Sequence, residues 1–467
     1  MPNRDRPNIV LLFTDDQRFD TIGALGYDEV ATPNIDRLVA RGTAFTNAYI
    51  MGGSCGAVCM PSRAMLHTGR TLFHLAEAGQ YIPEEHVLLG EWLQQQGYRT
   101  CGVGKWHNGP RSYARSFTEG AEIFFGGMAD HWNVPACYFD PSGRYPEATP
   151  WIWDPRGGNA VAPQHVDHVT FGKHSTELFG EATAGFLRGY DSDAPFFAYV
   201  AFMAPHDPRS MPKRFLDMYD PNEIELPANL MPEHPFDNGA LRIRDEMLAA
   251  FPRTPEETRR HIAEYYAMIS HLDHQVGEVL RALEETGRAD DTIIIFAGDN
   301  GLALGQHGLM GKQNNYEHSV RVPLIMCGPG IPRDVRSDAL VYLLDIYPTL
   351  CDLLGAPAPA TVEGRSLVPA MHDPQEKVRD ALYFAYSGLM RSVRDQRFKL
   401  IEYIARGERH TQLFDLQNDP IEMHNLASEP AYAARLAELR RELFRYRDAW
   451  GDLDTTWGQT FWSRYSA

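Results

Sequence analysis

Asn8-Ile-Val-Leu-Leu-Phe-Thr-Asp-Asp16 is the stretch of sequence that decides the fold. Its uninterrupted apolar run, from Ile9 to Phe13, is typical of a strand that is buried on both faces of a sheet. The run is too short for the apolar core of a signal peptide, and it ends in a pair of aspartates. Further apolar runs predict strands at 99–104, 195–203, 292–297 and 322–327.

Segments with helical periodicity separate these strands. They lie at 33–41, where Thr32 is the expected N-cap, and at 88–96, 175–187 and 255–285. Strands that alternate with helices predict an α/β fold, with a large, mostly parallel central sheet and helices on both faces. No stretch of the sequence reaches the length of a transmembrane helix, and we expect a cytoplasmic protein.

The pattern changes after a proline-rich break at 356–360. Beyond the break lie short strand-like segments at 381–386, 390–393, 398–404 and 412–416. A charged helix at about 431–447 follows them, which predicts a smaller C-terminal subdomain of the α+β type with an antiparallel sheet. We therefore expect a catalytic α/β domain at 1–355 and a subdomain at 356–467.

The segment 117–164 is rich in glycine, proline and aromatic residues and has weak periodicity. We interpret it as an irregular insertion within the α/β domain, of the kind that often shapes a substrate pocket. Asp130-His131-Trp132-Asn133 in this insertion is a candidate for the rim of such a pocket.

Composition and charge exclude several classes of partner. The formal net charge of the 467 residues is −18, which argues against nucleic acid or an anionic membrane surface. An anionic substrate would need a local cluster of cationic side chains. The six cysteines are too few for a disulfide framework in so long a chain, and they lack the paired spacing of a structural zinc site.

Polar residues follow four of the predicted strands, as Asp15-Asp16, Lys105-Trp106-His107, Pro205-His206 and Asp299-Asn300. Ligand sites of open α/β sheets lie beyond the carboxyl ends of the strands, so these four clusters predict one shared site. Three carboxylates and an amide, without paired Cys or His, favour Ca²⁺ or Mg²⁺ over zinc.

The stretch Cys59-Met60-Pro61-Ser62-Arg63, which closes with Thr68-Gly69-Arg70, resembles the maturation motif of the type I sulfatases of the alkaline phosphatase-like superfamily. In that family the cysteine is oxidised to Cα-formylglycine, and the hydrate of this aldehyde is the nucleophile. The resemblance implies that Cys59 is modified, with a formylglycine-generating enzyme as a transient partner. It also implies the alkaline phosphatase/sulfatase-like fold.

The resemblance extends along nearly the whole chain. It includes Gly104-Lys105-Trp106-His107, Ala204-Pro205-His206, Lys312 and the turn from Asp419 to Leu426. The metal ligands that it implies are Asp15, Asp16, Cys59, Asp299 and Asn300. The catalytic residues that it implies are Cys59, Arg63, Lys105, His107, His206 and Lys312, of which Lys105, His206 and Lys312 also contact the substrate. Three aromatic or histidine side chains follow the predicted metal ligands Asp299 and Asn300 in the sequence, namely His307, Tyr316 and His318. We expect His307 and His318 to line the substrate pocket.

The mechanism that the resemblance implies is a two-stage transfer of sulfate. A hydroxyl of the hydrated aldehyde attacks sulfur, while His206, with Lys312 nearby, assists departure of the alcohol. His107 then removes a proton from the second hydroxyl, and the hemiacetal collapses to the aldehyde with release of sulfate. The predicted function is hydrolysis of a small organic or carbohydrate sulfate ester.

Two alternatives remain open at the level of sequence. A phosphonate monoester or phosphodiester hydrolase of the same superfamily can share the Cys-x-Pro-Ser-Arg motif, because its substrate is also a tetrahedral anion. The alternative from another class is a non-catalytic anion-binding protein in which Cys59 stays unmodified.

Overall fold

The computed structural model describes residues 6–148 and 164–465. The strands of this described part are β1 (Asn8–Asp15), β2 (Gly42–Phe45), β3 (Ala48–Tyr49), β4 (Gly52–Gly53), β5 (Arg99–Lys105), β6 (Glu119–Phe124), β7 (Glu147–Ala148), β8 (Gln164–His165), β9 (Phe196–Pro205), β10 (Thr292–Gly298), β11 (Leu324–Cys327), β12 (Val335–Ser337), β13 (Val341–Tyr342), β14 (Leu382–Tyr386), β15 (Met390–Arg394), β16 (Phe398–Ala405) and β17 (Glu408–Asp415). The helices are α1 (Pro33–Arg41), α2 (Cys59–Thr68), α3 (Leu89–Gln95), α4 (Pro110–Ser116), α5 (Ser175–Gly189), α6 (Lys213–Leu216), α7 (Pro255–Glu285), α8 (Glu317–Val320), α9 (Ile346–Leu353), α10 (Val368–His372), α11 (Ala433–Ala449) and α12 (Thr456–Tyr465).

The central sheet has the strand order β12-β2-β11-β10-β1-β9-β5-β6 in the described residues. Its pairings are parallel except those of β11, which runs antiparallel to both β10 and β2. The α/β class with a large, mostly parallel sheet, predicted from the alternation of strands and helices, is therefore confirmed. The five strands predicted from apolar runs are all strands of this sheet.

Alternate residues of β1 contribute to two different cores. Leu11 and Phe13 pack into the core on one face of the sheet, whereas Val10 and Leu12 pack into the core on the other face. Since successive side chains of a strand point to opposite faces, an uninterrupted apolar run is what a strand between two helical layers requires. This explains why the opening stretch of the sequence carries no polar residue between Asn8 and Thr14.

Helix α1 begins at Pro33 as predicted, but its cap differs. The Thr32 hydroxyl accepts a bond from Gly23 N and donates to Asp36, and it does not cap the helix. Instead, the carboxylate of Asp273 on α7 accepts bonds from the first backbone N–H groups of α1, those of Asn34 and Ile35. The cap comes from a residue more than two hundred positions away, which a local pattern cannot indicate.

The second sheet lies C-terminally and has the order β17-β16-β15-β14-β4. Strands β14 to β17 form an antiparallel meander, which confirms the predicted antiparallel C-terminal sheet. The short strand β4 is parallel to β14 and comes from the segment before α2. Gly52 approaches so closely that an added Cβ would lie 2.1 Å from the carbonyl oxygen of Ala385. A domain boundary near 355 stays a prediction.

The expectation of a wholly irregular segment at 117–164 was wrong for its first part, which forms the edge strand β6 parallel to β5. Four of the six residues of β6 are only half-buried, so the segment lacks the apolar run that marks the central strands. The residues 149–163 lie outside the described part. Helix α12 was also not predicted. None of the described helices is long and apolar enough to cross a membrane.

Candidate active site

The carboxyl ends of β5, β9, β1 and β10 meet at one edge of the central sheet. Thr14 lies opposite Gly298 of β10, and Asp15 lies opposite Pro205 of β9. This register brings together Asp15, Asp16, Lys105, His107, His206, Asp299 and Asn300. Cys59 and Arg63 reach the same edge from α2, and Lys312 reaches it from the loop before α8.

The two acidic segments hold each other in place. Asp16 has a left-handed backbone conformation with φ 63°, which turns the chain away from β1. Its backbone N–H donates to Asp299 Oδ1 at 3.0 Å. Its carboxylate accepts bonds from Asn300 Nδ2 at 2.6 Å and from Lys312 Nζ at 2.5 Å.

The buried carboxylates at this edge are those of Asp15, Asp16 and Asp299, and each of them has a cationic partner. We call these residues, with Arg63, Lys105 and Lys312, the catalytic cluster. Lys105 is ion-paired with Asp15, and Arg63 Nε donates to Asp299 Oδ2 at 2.9 Å. The pKa values of Asp15 and Asp299 are shifted in opposite directions. Burial raises the pKa of Asp299 to about 7, reinforced by the neighbouring charge of Asp15. Burial also opposes ionisation of Asp15, but Lys105 and the other cations outweigh it and hold the pKa of Asp15 well below its usual range.

Two buried oxygen atoms of the cluster point to a metal ion. Asp15 Oδ1 and Asn300 Oδ1 have no hydrogen-bond partner within residues 6–148 and 164–465. Ligand atoms of Asp15, Cys59 and Asp299 lie within 4.8 Å of one another, and those of Asp15, Asp16 and His206 do as well. Buried oxygens without partners are costly unless a cation binds them. The donor set therefore fits a hard divalent cation such as Ca²⁺ or Mg²⁺.

Cys59 is the first residue of α2 and faces the cationic side of the cluster. Its Sγ lies 3.3 Å from His107 Nδ1 and 3.7 Å from Lys105 Nζ. The start of the helix is fixed by Asn108, whose Nδ2 donates to the carbonyl of Met60 at 2.9 Å. Burial raises the pKa of the Cys59 thiol to about 11, so the unmodified side chain is a protonated thiol and a weak nucleophile at neutral pH.

His107 is placed to accept a proton from the side chain at position 59. It has a left-handed backbone conformation with φ 68°, which directs its ring back towards α2. Burial, with the charge of Lys105 beside it, holds the pKa of His107 well below its usual value. Gly127 packs against this ring, since an added Cβ would lie 2.9 Å from His107 Nε2 and would displace the ring.

His206 lies beside Asp16. Its Nε2 is 3.6 Å from Asp16 Oδ2, and its Nδ1 is 2.7 Å from the carbonyl oxygen of Asp207. A carbonyl can only accept, so Nδ1 carries the proton in the neutral ring. Burial lowers the pKa of His206 to about 4, which leaves Nε2 as the atom that gains a proton when negative charge is added nearby.

A cavity of about 530 Å³ opens over Cys59. Its lining includes His107, His206 and Lys312 from the cluster. The described part of the insertion contributes Phe124, Phe125, Gly126, Gly127, Met128, Glu147 and Gln164, and His165 follows directly after it in the lining. The described part of the insertion therefore lines this cavity, and its role in shaping a substrate pocket stays a prediction.

Sequence reasoning missed two charged residues that line this cavity, Arg244 and Asp245. Arg244 Nη1 donates to Asp207 at 2.8 Å, and Asp245 accepts a bond from Gln313 at 2.5 Å. Burial opposes ionisation of Asp245, but the charge of Lys312 lowers its pKa nonetheless. Both residues lie between α6 and α7, where Asp245 begins a short 3-10 helix that is too short to show a periodic pattern in the sequence.

The structure places His307 and His318 away from this cavity. Neither is among its described lining residues. The His307 ring is stacked on Tyr316, with the ring centroids 4.0 Å apart. His318 lines a second cavity of about 620 Å³ instead. Both side chains are buried, and their expected role in substrate binding stays a prediction.

The rim expected at Asp130-His131-Trp132-Asn133 also differs. His131 is completely buried behind His206 and does not line the catalytic cavity. Asp130 forms a local turn, since its carboxylate accepts from Trp132 N at 3.0 Å.

Two family descriptions match the chain. The model described as Sulfatase matches residues 7–356, and the model described as N-sulphoglucosamine sulphohydrolase, C-terminal, matches residues 305–449. The first match covers the central sheet, and the second covers strands β14 to β17 of the C-terminal sheet and α11.

Among curated relatives, an arylsulfatase of Clostridium perfringens is 30% identical over 94% of this chain and 94% of its own length. An N-acetylglucosamine-6-O-sulfatase of Bacteroides thetaiotaomicron is 25% identical over 96% of this chain and 88% of its own length. Among solved structures, a phosphonate monoester hydrolase of Agrobacterium radiobacter aligns with a TM-score of 0.73 at 23% identity, over 95% of this chain and 96% of that one. The last likeness shows a common fold.

Proposed function

The chain belongs to the sulfatase family and is a sulfuric ester hydrolase, and on that premise we propose that it releases inorganic sulfate from a small organic or carbohydrate sulfate ester. We propose that it does so with a formylglycine formed at Cys59 and a divalent cation. One observation carries this proposal. Cys59 lies beside a neutral histidine and a lysine, in front of two buried oxygens that have no partner in the described residues.

Asp15, Asp16, Asp299 and Asn300, with the modified side chain at position 59, would hold the cation. When bound, Ca²⁺ or Mg²⁺ would supply positive charge that lowers the pKa of a neighbouring hydroxyl. The hydrated formylglycine would supply that hydroxyl. This replacement matters because the native thiol has a raised pKa and Sγ is a soft ligand, poorly suited to a hard cation.

Lys105 and Lys312 bind and orient the sulfate group in this proposal. Both side chains are buried, and both lie beside the cluster on the side of Cys59. Burial opposes the charge of Lys312, but Asp16 outweighs it and raises the pKa of Lys312 well above its usual value. A permanently charged lysine can offset the negative charge that develops on the sulfate oxygens.

Arg63 acts indirectly, through the acidic residues. It donates to Asp299 at 2.9 Å and to the backbone carbonyl of Lys105 at 3.0 Å. It is completely buried, and its interactions with Tyr199, Asp299 and Asp15 hold its pKa above the usual value despite burial. Arg63 therefore fixes the positions of one metal ligand and one sulfate-binding lysine at the same time.

The two histidines transfer protons in opposite directions, because His107 accepts a proton and His206 donates one. His107 is neutral, and its Nδ1 accepts a proton from the side chain at position 59, to which it is closest. His206 gains a proton at Nε2 when an anionic ester binds beside it, and it donates that proton to the departing alcohol. The negative charge of the ester and of Asp16 favours the protonated ring.

The cavity supports a small substrate. A volume of about 530 Å³ is in the range that holds one or two sugar rings or a substituted aryl group. The half-buried Phe125 offers an aromatic ring, whereas Asp245, Glu147 and Gln164 offer polar groups to hydroxyls. Curated relatives are named for both an aryl and a carbohydrate sulfate, which supports these two substrate classes.

The test is a comparison of substrates on protein made together with a formylglycine-generating enzyme. We expect kcat/KM to be larger for 4-nitrophenyl sulfate and for N-acetylglucosamine 6-sulfate than for a phenyl phosphonate ester. The opposite order would support the alternative of a phosphonate monoester or phosphodiester hydrolase. Mass spectrometry of the peptide that contains residue 59 gives the second readout. A peptide that has exchanged the elements of H₂S for one oxygen contains formylglycine, whereas an unchanged, inactive protein would support the anion-binding alternative.

A further inference from the structure

Two buried histidines, His131 and His174, lie behind His206. Both side chains have no exposed surface, and neither lines the catalytic cavity. Their rings are parallel, with an interplanar angle of 6° and centroids 4.9 Å apart. His131 comes from the insertion after β6, and His174 is the N-cap of α5, so the pair joins two segments that are distant in sequence.

Each histidine holds one carbonyl group of the loop that carries His206. His131 Nε2 lies 2.9 Å from the carbonyl oxygen of His206, and His174 Nε2 lies 2.9 Å from that of Ser210. Because carbonyl oxygens only accept, both Nε2 atoms carry hydrogen. The Nδ1 atoms are then acceptors, for the Ser175 hydroxyl at 2.7 Å and for the Thr176 backbone N–H at 3.2 Å.

The partners therefore determine one tautomer for each ring. A second bond reinforces the position of His131, since its carbonyl accepts from Ser175 N at 2.7 Å. Burial lowers the pKa of His131 to about 3 and that of His174 to about 4. Both rings thus stay neutral near pH 7, and the Nε2–H groups remain available as donors.

The loop from 206 to 210 has a second support that is less buried. Arg244 binds the carboxylate of Asp207, but the Arg244 side chain is 29% exposed. His131 differs because it binds the backbone of His206 itself and is completely buried. A shift of that carbonyl would move the imidazole of His206 relative to Asp16 and to the cavity.

We propose that His131 is a positioning residue that holds the imidazole of His206 in line with the leaving group. This inference rests on the proposed role of His206 as the proton donor to the alcohol. It assigns to His131 a function that sequence alone did not indicate. Misplacing an acid by about 1 Å costs on the order of 100-fold in rate, and the loss grows as the leaving group becomes poorer.

The experiment compares kcat for a series of substituted phenyl sulfates, from 4-nitrophenyl to phenyl sulfate, on the formylglycine-containing enzyme. In His131→Leu, which fills the space but lacks the donor, we expect kcat for phenyl sulfate to fall on the order of 10-fold further than kcat for 4-nitrophenyl sulfate. In His131→Gln, whose amide can still donate to the His206 carbonyl, we expect that difference to shrink to about 2-fold.

His174→Leu is the matched control, since it removes an equally buried ring whose bond is four residues farther along the loop. We expect it to lower the melting temperature without changing the dependence of kcat on the leaving group. His206→Asn provides the reference for loss of the acid. If His206→Asn shows no steeper dependence, the proposed role of His206 fails. If it does and His131→Leu does not, the inference about His131 alone is overturned. Failure of both His131 variants to fold would also overturn it, in favour of a purely structural role.

Discussion

Two clusters of buried charge in this molecule look alike and serve different ends. The catalytic cluster comprises Asp15, Asp16, Asp299, Arg63, Lys105 and Lys312 at the carboxyl edge of the central sheet. The interface cluster comprises Glu317, Glu422, Arg394 and Lys399, where α8 meets the C-terminal sheet. In both clusters each carboxylate has a cationic partner, and the side chains are almost completely buried.

The pKa shifts of the two clusters are also similar. Burial raises the pKa of Asp299 to about 7 in one cluster and that of Glu422 to about 7 in the other. In each cluster a second carboxyl group has a lowered pKa, because its cationic neighbours outweigh burial: Asp15 in the catalytic cluster and Glu317, at about 2, in the interface cluster. Perturbed pKa values alone would therefore not identify the active site.

The difference lies in what the carboxylates face. Lys399 Nζ lies 3.0 Å from each of the two glutamates, and the backbone N–H of Glu317 donates to Glu422 Oε2 at 2.7 Å. Glu422 Oε1 makes no hydrogen bond in the described residues, but Lys399 is its ion-pair partner. The catalytic cluster instead presents Asp15 Oδ1 and Asn300 Oδ1 without partners in the described residues, beside Cys59 and beneath a cavity. Open hard donors next to a modifiable residue identify a site, whereas burial of charge does not.

The largest effect should follow from removing the side chain at position 59. Cys59→Ala should lower kcat/KM for 4-nitrophenyl sulfate by at least about 10⁴-fold, as expected for loss of a nucleophile. Circular dichroism and thermal unfolding should show an intact fold, since the change removes one buried atom from the start of α2. Activity near that of the wild type would contradict the catalytic assignment of this cluster.

Removal of divalent cations should have the second-largest effect, and it should act on the catalytic cluster but not on the interface cluster. Dialysis against EDTA should reduce activity by at least about 100-fold, because the cation contributes several kcal/mol of charge stabilisation. Added Ca²⁺ or Mg²⁺ should restore it and raise the melting temperature by mass action. Asp299→Asn should weaken this rise, whereas Glu422→Gln should leave it unchanged. An equal loss in both variants would show that the two clusters are not distinct.

A pair of lysine variants gives a third comparison. Lys105→Met should lower kcat by about 10²–10³-fold, through loss of a charge beside the sulfate. Lys399→Met should instead lower the free energy of unfolding by about 3–5 kcal/mol, because it leaves two buried carboxylates without their shared cation. Steady-state kinetics and urea unfolding of both proteins provide the measurements. A kcat loss in folded Lys399→Met of the same size as in Lys105→Met would break the distinction.

The smallest expected effect is a pH dependence of stability from Glu422. Its pKa is about 7 in the folded protein against an ordinary value of 4.5, since burial and Glu317 disfavour the charged form. As the pH rises from 4.5 to 7, the unfolded chain releases this proton first, so the folded state loses stability over that range. Glu422→Gln should remove this loss, so that its free energy of unfolding at pH 8 is about 1–3 kcal/mol higher than that of the unchanged protein. Thermal unfolding from pH 5 to pH 8 measures it.

Glu317 should act at the other end of the pH scale. Its lowered pKa, about 2, means that its contribution to stability is complete above pH 4.5 and is lost as the pH falls towards 2. The two glutamates thus titrate in separate ranges. A Glu422→Gln protein that still loses stability between pH 5 and pH 7 to the same extent would contradict the assignment of that change to Glu422.

Much of the fold was predictable, because its central strands are buried on both faces and therefore carry uninterrupted apolar runs. The strand ends carry Asp15, Asp16 and Asp299, and parallel strands bring such ends to one edge. Strand β6 was not predicted, because it is half-buried at the sheet edge and lacks an apolar run. The side chain that caps the N-terminus of α1 was not predicted, because Asp273 supplies it from another helix.

The amino-acid sequence by itself determined the fold class, the family and the set of residues that the catalytic edge brings together. Local signals carry that information, because apolar runs and the Cys59 motif are contiguous in the chain. Only the tertiary structure showed that Arg244 and Asp245 enter the cavity, that His307 and His318 do not, and that His131 lies behind His206. These positions depend on contacts between irregular segments far apart in sequence, and such contacts leave no periodic pattern in either segment.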